Sequence, residues 1–143
     1  MIFTAKDGTL TAFGEATEKW AEAKSGAVLM KEMTKSDIRS LDQNRLAWVW
    51  YRQIEEFMHE PAGWGHNYCK LTIGVPILRA ESEKFRDLYD RYLRPMTYEA
   101  KLEAIELVDV TKAMTTKQMT TYLETIQRKF AFQGLELETL EDV

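Results

Sequence analysis

Arg39-Ser-Leu-Asp-Gln-Asn-Arg45 is followed by Trp48 and then Arg52, so guanidinium groups, side-chain amides and an indole crowd one short stretch. A guanidinium presents a planar fork of donors suited to phosphate oxygens. An indole offers a flat face on which a nucleobase stacks. On a helix turning about 100° per residue, Leu41, Arg45, Trp48 and Arg52 share one stripe. Leu46, Trp50, Ile54, Phe57 and Met58 fall on the other side and read as core-facing. A core has no need of the first stripe. Two arginines flanking an indole therefore suggest a contact surface for a single-stranded nucleic acid. The alternative is packing. Trp48 would then lie under a neighbouring element or in a dimer interface, and the arginines would answer Asp42, Glu55 and Glu56.

The elements that must position this stretch follow from periodicity and punctuation. Ser40 or Asp42 can cap its helix, which should run to about His59 before Pro61, Gly63 and Gly65 break the chain. Upstream, residues 2–5 and 9–13 flank Asp7-Gly8, a hairpin-type turn pair. Glu15 to Lys24 reads as a helix and Ala27 to Met33 as a strand. Downstream, a helix should resume near Asn67 and end before Pro76. Ser82 can cap a helix whose apolar face is Phe85, Leu88, Tyr89, Tyr92 and Leu93, with Pro95 ending it. Tyr98 to Ala104 reads as a short helix, and the alternating Glu106 to Val110 as a strand. Thr115 or Thr116 caps a last helix, buried along Met119, Tyr122, Leu123, Ile126 and Phe130 and stopped by Gly134. The expected fold is a single α+β domain spanning 1–143, with an acidic extension over 135–143.

Composition narrows the function classes. The chain has 143 residues, 45% of them hydrophobic and 29% charged, as expected of a folded domain. Its formal net charge of −4 argues against tight duplex binding. The acids of the tail, Glu136, Glu138, Glu141 and Asp142, account for that excess, leaving the rest with 19 basic and 19 acidic residues. A balanced body can still carry a local basic groove. The tail reads by default as a solubilising end. Cys69 is the lone cysteine, so no internal disulfide forms and a cytoplasmic location is expected. Neither a signal peptide nor an apolar run long enough to span a bilayer is evident.

The motif Arg39 to Arg45 with Trp48 resembles the signature of the lambda-type NinB (Orf) recombination proteins of phages. Thr115-Thr-Lys-Gln-Met-Thr-Thr-Tyr-Leu-Glu-Thr-Ile126, followed by Gly134-Leu-Glu-Leu137, is similar to that family's closing helix and glycine-led extension. The resemblance implies a small α+β homodimer. It implies a non-catalytic recombination mediator that binds single-stranded DNA and helps load a strand-exchange protein, working with the host single-strand-binding protein and using no cofactor. Carried to matching positions, it points to Gln43 and Trp48 first, then Arg39, Asn44 and Arg45. Arg52 belongs to the stripe and not to the motif. The acidic tail departs from the more basic end expected of the family.

Other chemistries are less well supplied. His59, His66 and Cys69 lie close in sequence, but their spacing fits none of the usual zinc pairs and a fourth ligand is missing. A metal-dependent nuclease would need a carboxylate cluster, whereas Asp42, Glu55 and Glu56 read as caps and solvated charges. Gly-rich phosphate loops are absent. A protein-interaction adaptor in phage replication or recombination, without direct DNA binding, is the alternative function.

Overall fold

A computed structural model describes residues 3–6, 9–12 and 35–139, with side chains from Leu41 onward. The described residues fall in two compact units, Met1–Glu32 and Met33–Val143. In the first, β1 (Phe3–Lys6) and β2 (Thr9–Ala12) pair antiparallel, with Phe3 opposite Ala12 and Lys6 opposite Thr9. The expected helix over 15–24 and strand over 27–33, and the last residues of the tail, lie outside the described residues.

The second unit is helical. It comprises α1 (Lys35–Met58), α2 (Trp64–Cys69), a π-helical turn (Lys70–Gly74), α3 (Val75–Glu81), α4 (Glu83–Tyr92), α5 (Tyr98–Ala104), a 3-10 turn (Ile105–Leu107) and α6 (Thr116–Phe132). The expected α+β class is therefore wrong: among its described residues this body contains no strand. Glu106 to Val110 alternates in sequence, but Glu106 and Leu107 belong to the 3-10 turn Ile105–Leu107 and the residues after it form no strand. A strand also needs a neighbour for its backbone groups, and helices flank this segment instead.

Several boundaries shift for identifiable reasons. The first helix begins at Lys35, so Ser40 and Asp42 lie inside it and do not cap it. Pro76 sits in the first turn of α3, directly after the π-helical turn Lys70–Gly74, and does not end the helical run. Ser82 and Thr115 cap as expected: Phe85 N donates to Ser82 Oγ at 3.2 Å, and Thr115 and Gln118 form a reciprocal capping box.

The core has two parts. Leu46, Ala47, Trp50, Tyr51 and Ile54 of α1 pack against Tyr122, Leu123, Ile126 and Phe130 of α6 and against Cys69 and Ile73. Leu71, Val75, Leu78, Ile105 and Val110 make the second part, with Phe85, Tyr89 and Leu93 packed on it. Leu88 and Tyr92, expected in that face, are 48% and 59% exposed. Phe57 and Met58 are likewise exposed at the end of α1, beyond the reach of the core. Gly74 lets the two parts meet, since a Cβ there would lie 2.6 Å from Val110 Cγ1.

The acidic extension is not merely a solubilising end over its described length. After Gly134 (φ 94°), Leu137 is buried in the first core, and Glu138 is tied to α1. Its carbonyl accepts from Trp50 Nε1, and its N–H donates to Gln53 Oε1 at 3.1 Å. Trp50 lies two residues, or about 200°, around α1 from Trp48. The strap thus occupies the side of the helix away from the Trp48 stripe.

Candidate nucleic-acid interface

Trp48 lies on α1 and is 44% exposed. Its ring meets the edge of Tyr51 at a centroid distance of 5.4 Å and that of His66 at 4.5 Å. Tyr51 and His66 stack at 4.7 Å with planes 27° apart. The indole is therefore braced from behind and open in front. Tyr51 is fixed in turn by a 2.7 Å bond between its hydroxyl and that of Tyr122, both buried, and burial raises the pKa of each phenol.

His66 reaches Trp48 because α2 lies against α1 at a glycine. A Cβ on Gly65 would come within 2.5 Å of the Tyr51 carbonyl oxygen. Glu55 Oε2 accepts the N–H of Gly63 at 3.0 Å and that of Gly65 at 2.8 Å. The carboxylate thereby satisfies amides at the N-terminus of α2. Glu55 is buried and occupied by these bonds, not a solvated charge as expected. Burial, and then the Lys70 ammonium, lowers the His66 pKa to about 4, so its imidazole is neutral at pH 7. Lys70 is itself buried in the π-helical turn, and burial lowers its pKa against the pull of Asp109 and Glu106.

The other residues singled out in the sequence lie on the same helix with differing surroundings. Arg45 is exposed and pairs with Asp42 at 3.3 Å. Arg52 is exposed, and its Nε donates to the Trp48 carbonyl at 3.4 Å. Leu41 is 49% exposed, so the stripe from Leu41 to Arg52 faces solvent. Arg39 belongs to α1 ahead of the residues whose side chains are described. Gln43 turns instead toward α6, donating from Nε2 to Thr120 Oγ1 at 3.0 Å. Gln43 and Asn44 share a cleft of about 160 Å³ with Lys112, Met114, Thr116 and Met119. The motif thus serves two adjoining surfaces, an aromatic one at Trp48 and a polar cleft at Gln43. No family model, curated protein or solved structure matches the chain.

His66 and Lys112 were not recognised from sequence as part of this surface. A glycine between two aromatics, Trp64-Gly65-His66, is the signal that could have shown a close backbone approach there. As for a metal, no group of three or more His, Cys, Asp or Glu among the described residues could hold one. Cys69 is buried, and burial pushes its thiol up to about 12. No helix among the described residues is long and apolar enough to cross a membrane.

Proposed function

We propose that this protein binds single-stranded DNA without catalysis and acts as a phage recombination mediator that assists loading of a strand-exchange protein. The observation that carries the reading is Trp48, an indole braced by His66 and Tyr51 and open to solvent between two exposed arginines. Such a platform stacks a base while the guanidinium groups meet the backbone, a sequence-tolerant mode suited to single strands. The resemblance of Arg39 to Trp48 and of Thr115 to Ile126 to the NinB (Orf) proteins supports the mediator role. It also supports a homodimer working with a single-strand-binding protein in the bacterial cytoplasm. The docked strap leaves the stripe uncovered along residues 135–139.

The test is a fluorescence-anisotropy titration of a labelled single-stranded oligonucleotide with wild type and Trp48→Ala at low and moderate salt. Binding that falls with salt and weakens in the folded variant is expected. Wild type that fails to bind at low salt would overturn the reading.

The adaptor alternative draws on a different observation: Leu88 and Tyr92, one turn apart on α4, are exposed among charged residues. Salt-independent capture of a recombination protein by a chain that binds no DNA would favour it.

A further inference from the structure

Phe132 is 94% exposed, the most open large apolar side chain among the described residues. A single exposed ring needs no explanation by itself. This one ends α6 in the company of two cations. Arg128, one turn earlier on the same face, is exposed. It has no hydrogen-bond or ion-pair partner among the described residues. Lys129 lies beside it, with its ammonium 4.6 Å from the centre of the Tyr68 ring. Thr125, Arg128, Lys129, Phe132 and Gln133 line an open shelf of about 340 Å³ that holds no carboxylate. An aromatic ring with two cations at helical spacing is also what Trp48 makes with Arg45 and Arg52.

Charge gives an occupant of the shelf its direction. On the strap side of Arg128, Glu124 and Glu136 line a separate groove with Leu137 and Thr139. Those carboxylates repel a phosphate backbone. Away from the strap, Lys129 leads to Tyr68 of α2, which stacks on Trp64 at 4.6 Å with planes 15° apart. Tyr68 stands two residues after His66, about 200° around the helix. One flank of α2 therefore meets α6, and the other braces Trp48. Trp64–Cys69 contains no acidic residue, and His66, Asn67 and Tyr68 are each partly open to solvent. The two aromatic and cationic faces are thus joined across α2 without an intervening carboxylate of that helix.

We infer that Arg128, Lys129 and Phe132 form a second contact face for the single strand, which crosses α2 from the Trp48 platform and stacks a base on Phe132. The inference rests on the strand-binding reading and extends its footprint. Charge complementarity selects the occupant. Arg128 and Lys129 border the shelf with no carboxylate paired to either among the described residues. A strand brings a phosphate for the cations and a flat base for the ring with every nucleotide. An acidic peptide brings the charge without the repeating ring.

The experiment titrates a labelled oligo-dT of about twenty residues, longer than the roughly 4–16 nucleotides covered by a small single-strand-binding module. The full chain is used as wild type, Phe132→Ala, Arg128→Ala and Trp48→Ala, at a series of salt concentrations. Phe132 and Arg128 are exposed, so their variants should keep the wild-type urea midpoint. Phe132→Ala is expected to weaken binding about tenfold. Arg128→Ala is expected to lower the salt slope by about one. Wild-type affinity and slope in both folded variants, with weak binding by Trp48→Ala, overturns the inference and leaves strand binding intact. Binding of labelled poly-glutamate that is lost in Phe132→Ala, with the strand unaffected, also overturns it and assigns the face to an acidic protein. Weakening by Phe132→Ala with full binding by Trp48→Ala upholds the face and removes Trp48 from the site. Wild type that binds no strand at low salt overturns the reading beneath.

Discussion

The indole of Trp48 and the imidazole of His66 meet with centroids 4.5 Å apart and planes inclined at 60°. A ring held in this way loses little freedom when a base stacks on its open face. Trp48→Ala is expected to weaken binding of a single-stranded oligonucleotide by about 1–3 kcal/mol. Because the ring is 44% exposed, the urea midpoint should move far less than for a core truncation such as Ile54→Ala.

The same imidazole sets a pH dependence. Its pKa is lowered from 6.5 to about 4 by burial and by Lys70. Between those values the unfolded chain holds a proton that the folded chain lacks, so stability falls as pH drops from 6.5 toward 4. His66→Phe should flatten that part of the stability profile, measured by urea unfolding at a series of pH values. Oligonucleotide affinity of wild type should show no titration of His66 between pH 6 and 8.

Arg45 is expected to act on affinity and not on stability. Its pair with Asp42 at 3.3 Å is open to solvent, where such pairs contribute little. Arg45→Ala should lower affinity and flatten the salt slope by about one. Asp42→Asn, which frees the guanidinium, should raise affinity at low salt. A slope unchanged in Arg45→Ala would place this side chain away from phosphate.

The seam between α1 and α2 should be intolerant of change. Gly65→Ala drives a methyl to 2.5 Å from the Tyr51 carbonyl oxygen and is expected to cost about 1–3 kcal/mol. Glu55→Ala strips the acceptor from the N–H groups of Gly63 and Gly65 and is expected to cost a similar amount, about 1–3 kcal/mol. Both also loosen His66, so DNA affinity should fall beyond the loss of folded protein.

Tyr51 and Tyr122 should be coupled. Either change to Phe leaves the other buried hydroxyl without its partner, at about 1–3 kcal/mol. The double variant should be less destabilised than the two single losses added together. A double-mutant cycle by urea unfolding measures this, and strict additivity would show that the hydroxyls do not depend on each other.

The middle of the motif helix was legible from helical spacing: Leu46, Trp50 and Ile54 are buried while Leu41, Arg45 and Arg52 are exposed. Ser82 and Thr115 were legible as caps because capping is local chemistry. Where partners are distant in sequence, the reading failed. Glu55 looks solvated until the amides of Gly63 and Gly65 are brought to it by a turn. Glu106 to Val110 looks like a strand, but its first residues close a 3-10 turn and no strand among the described residues of this unit lies beside it. His66 drew notice as a zinc ligand candidate, whereas its role in the fold is to brace an indole. Gln43 was legible as a candidate, but Thr120, the partner that turns it toward α6, stands 77 positions away.

The strap bears on how the chain is made. Tyr51 finds its hydroxyl partner 71 positions later, and Trp50 and Gln53 find Glu138 at separations of 88 and 85. Leu137 joins the same core cluster from the far end of the described chain. During synthesis, α1 emerges with only the segment from Trp64 to Ile73 soon at hand, long before α6 and the strap can complete the cover of its apolar side. Closure of that core waits for the last turns of α6 and the residues after Gly134 to clear the exit tunnel. A chain cut short before Leu137 would leave the Trp50 indole N–H without the Glu138 carbonyl and that side of the first core open, so residues 135–139 finish a core that α1 began.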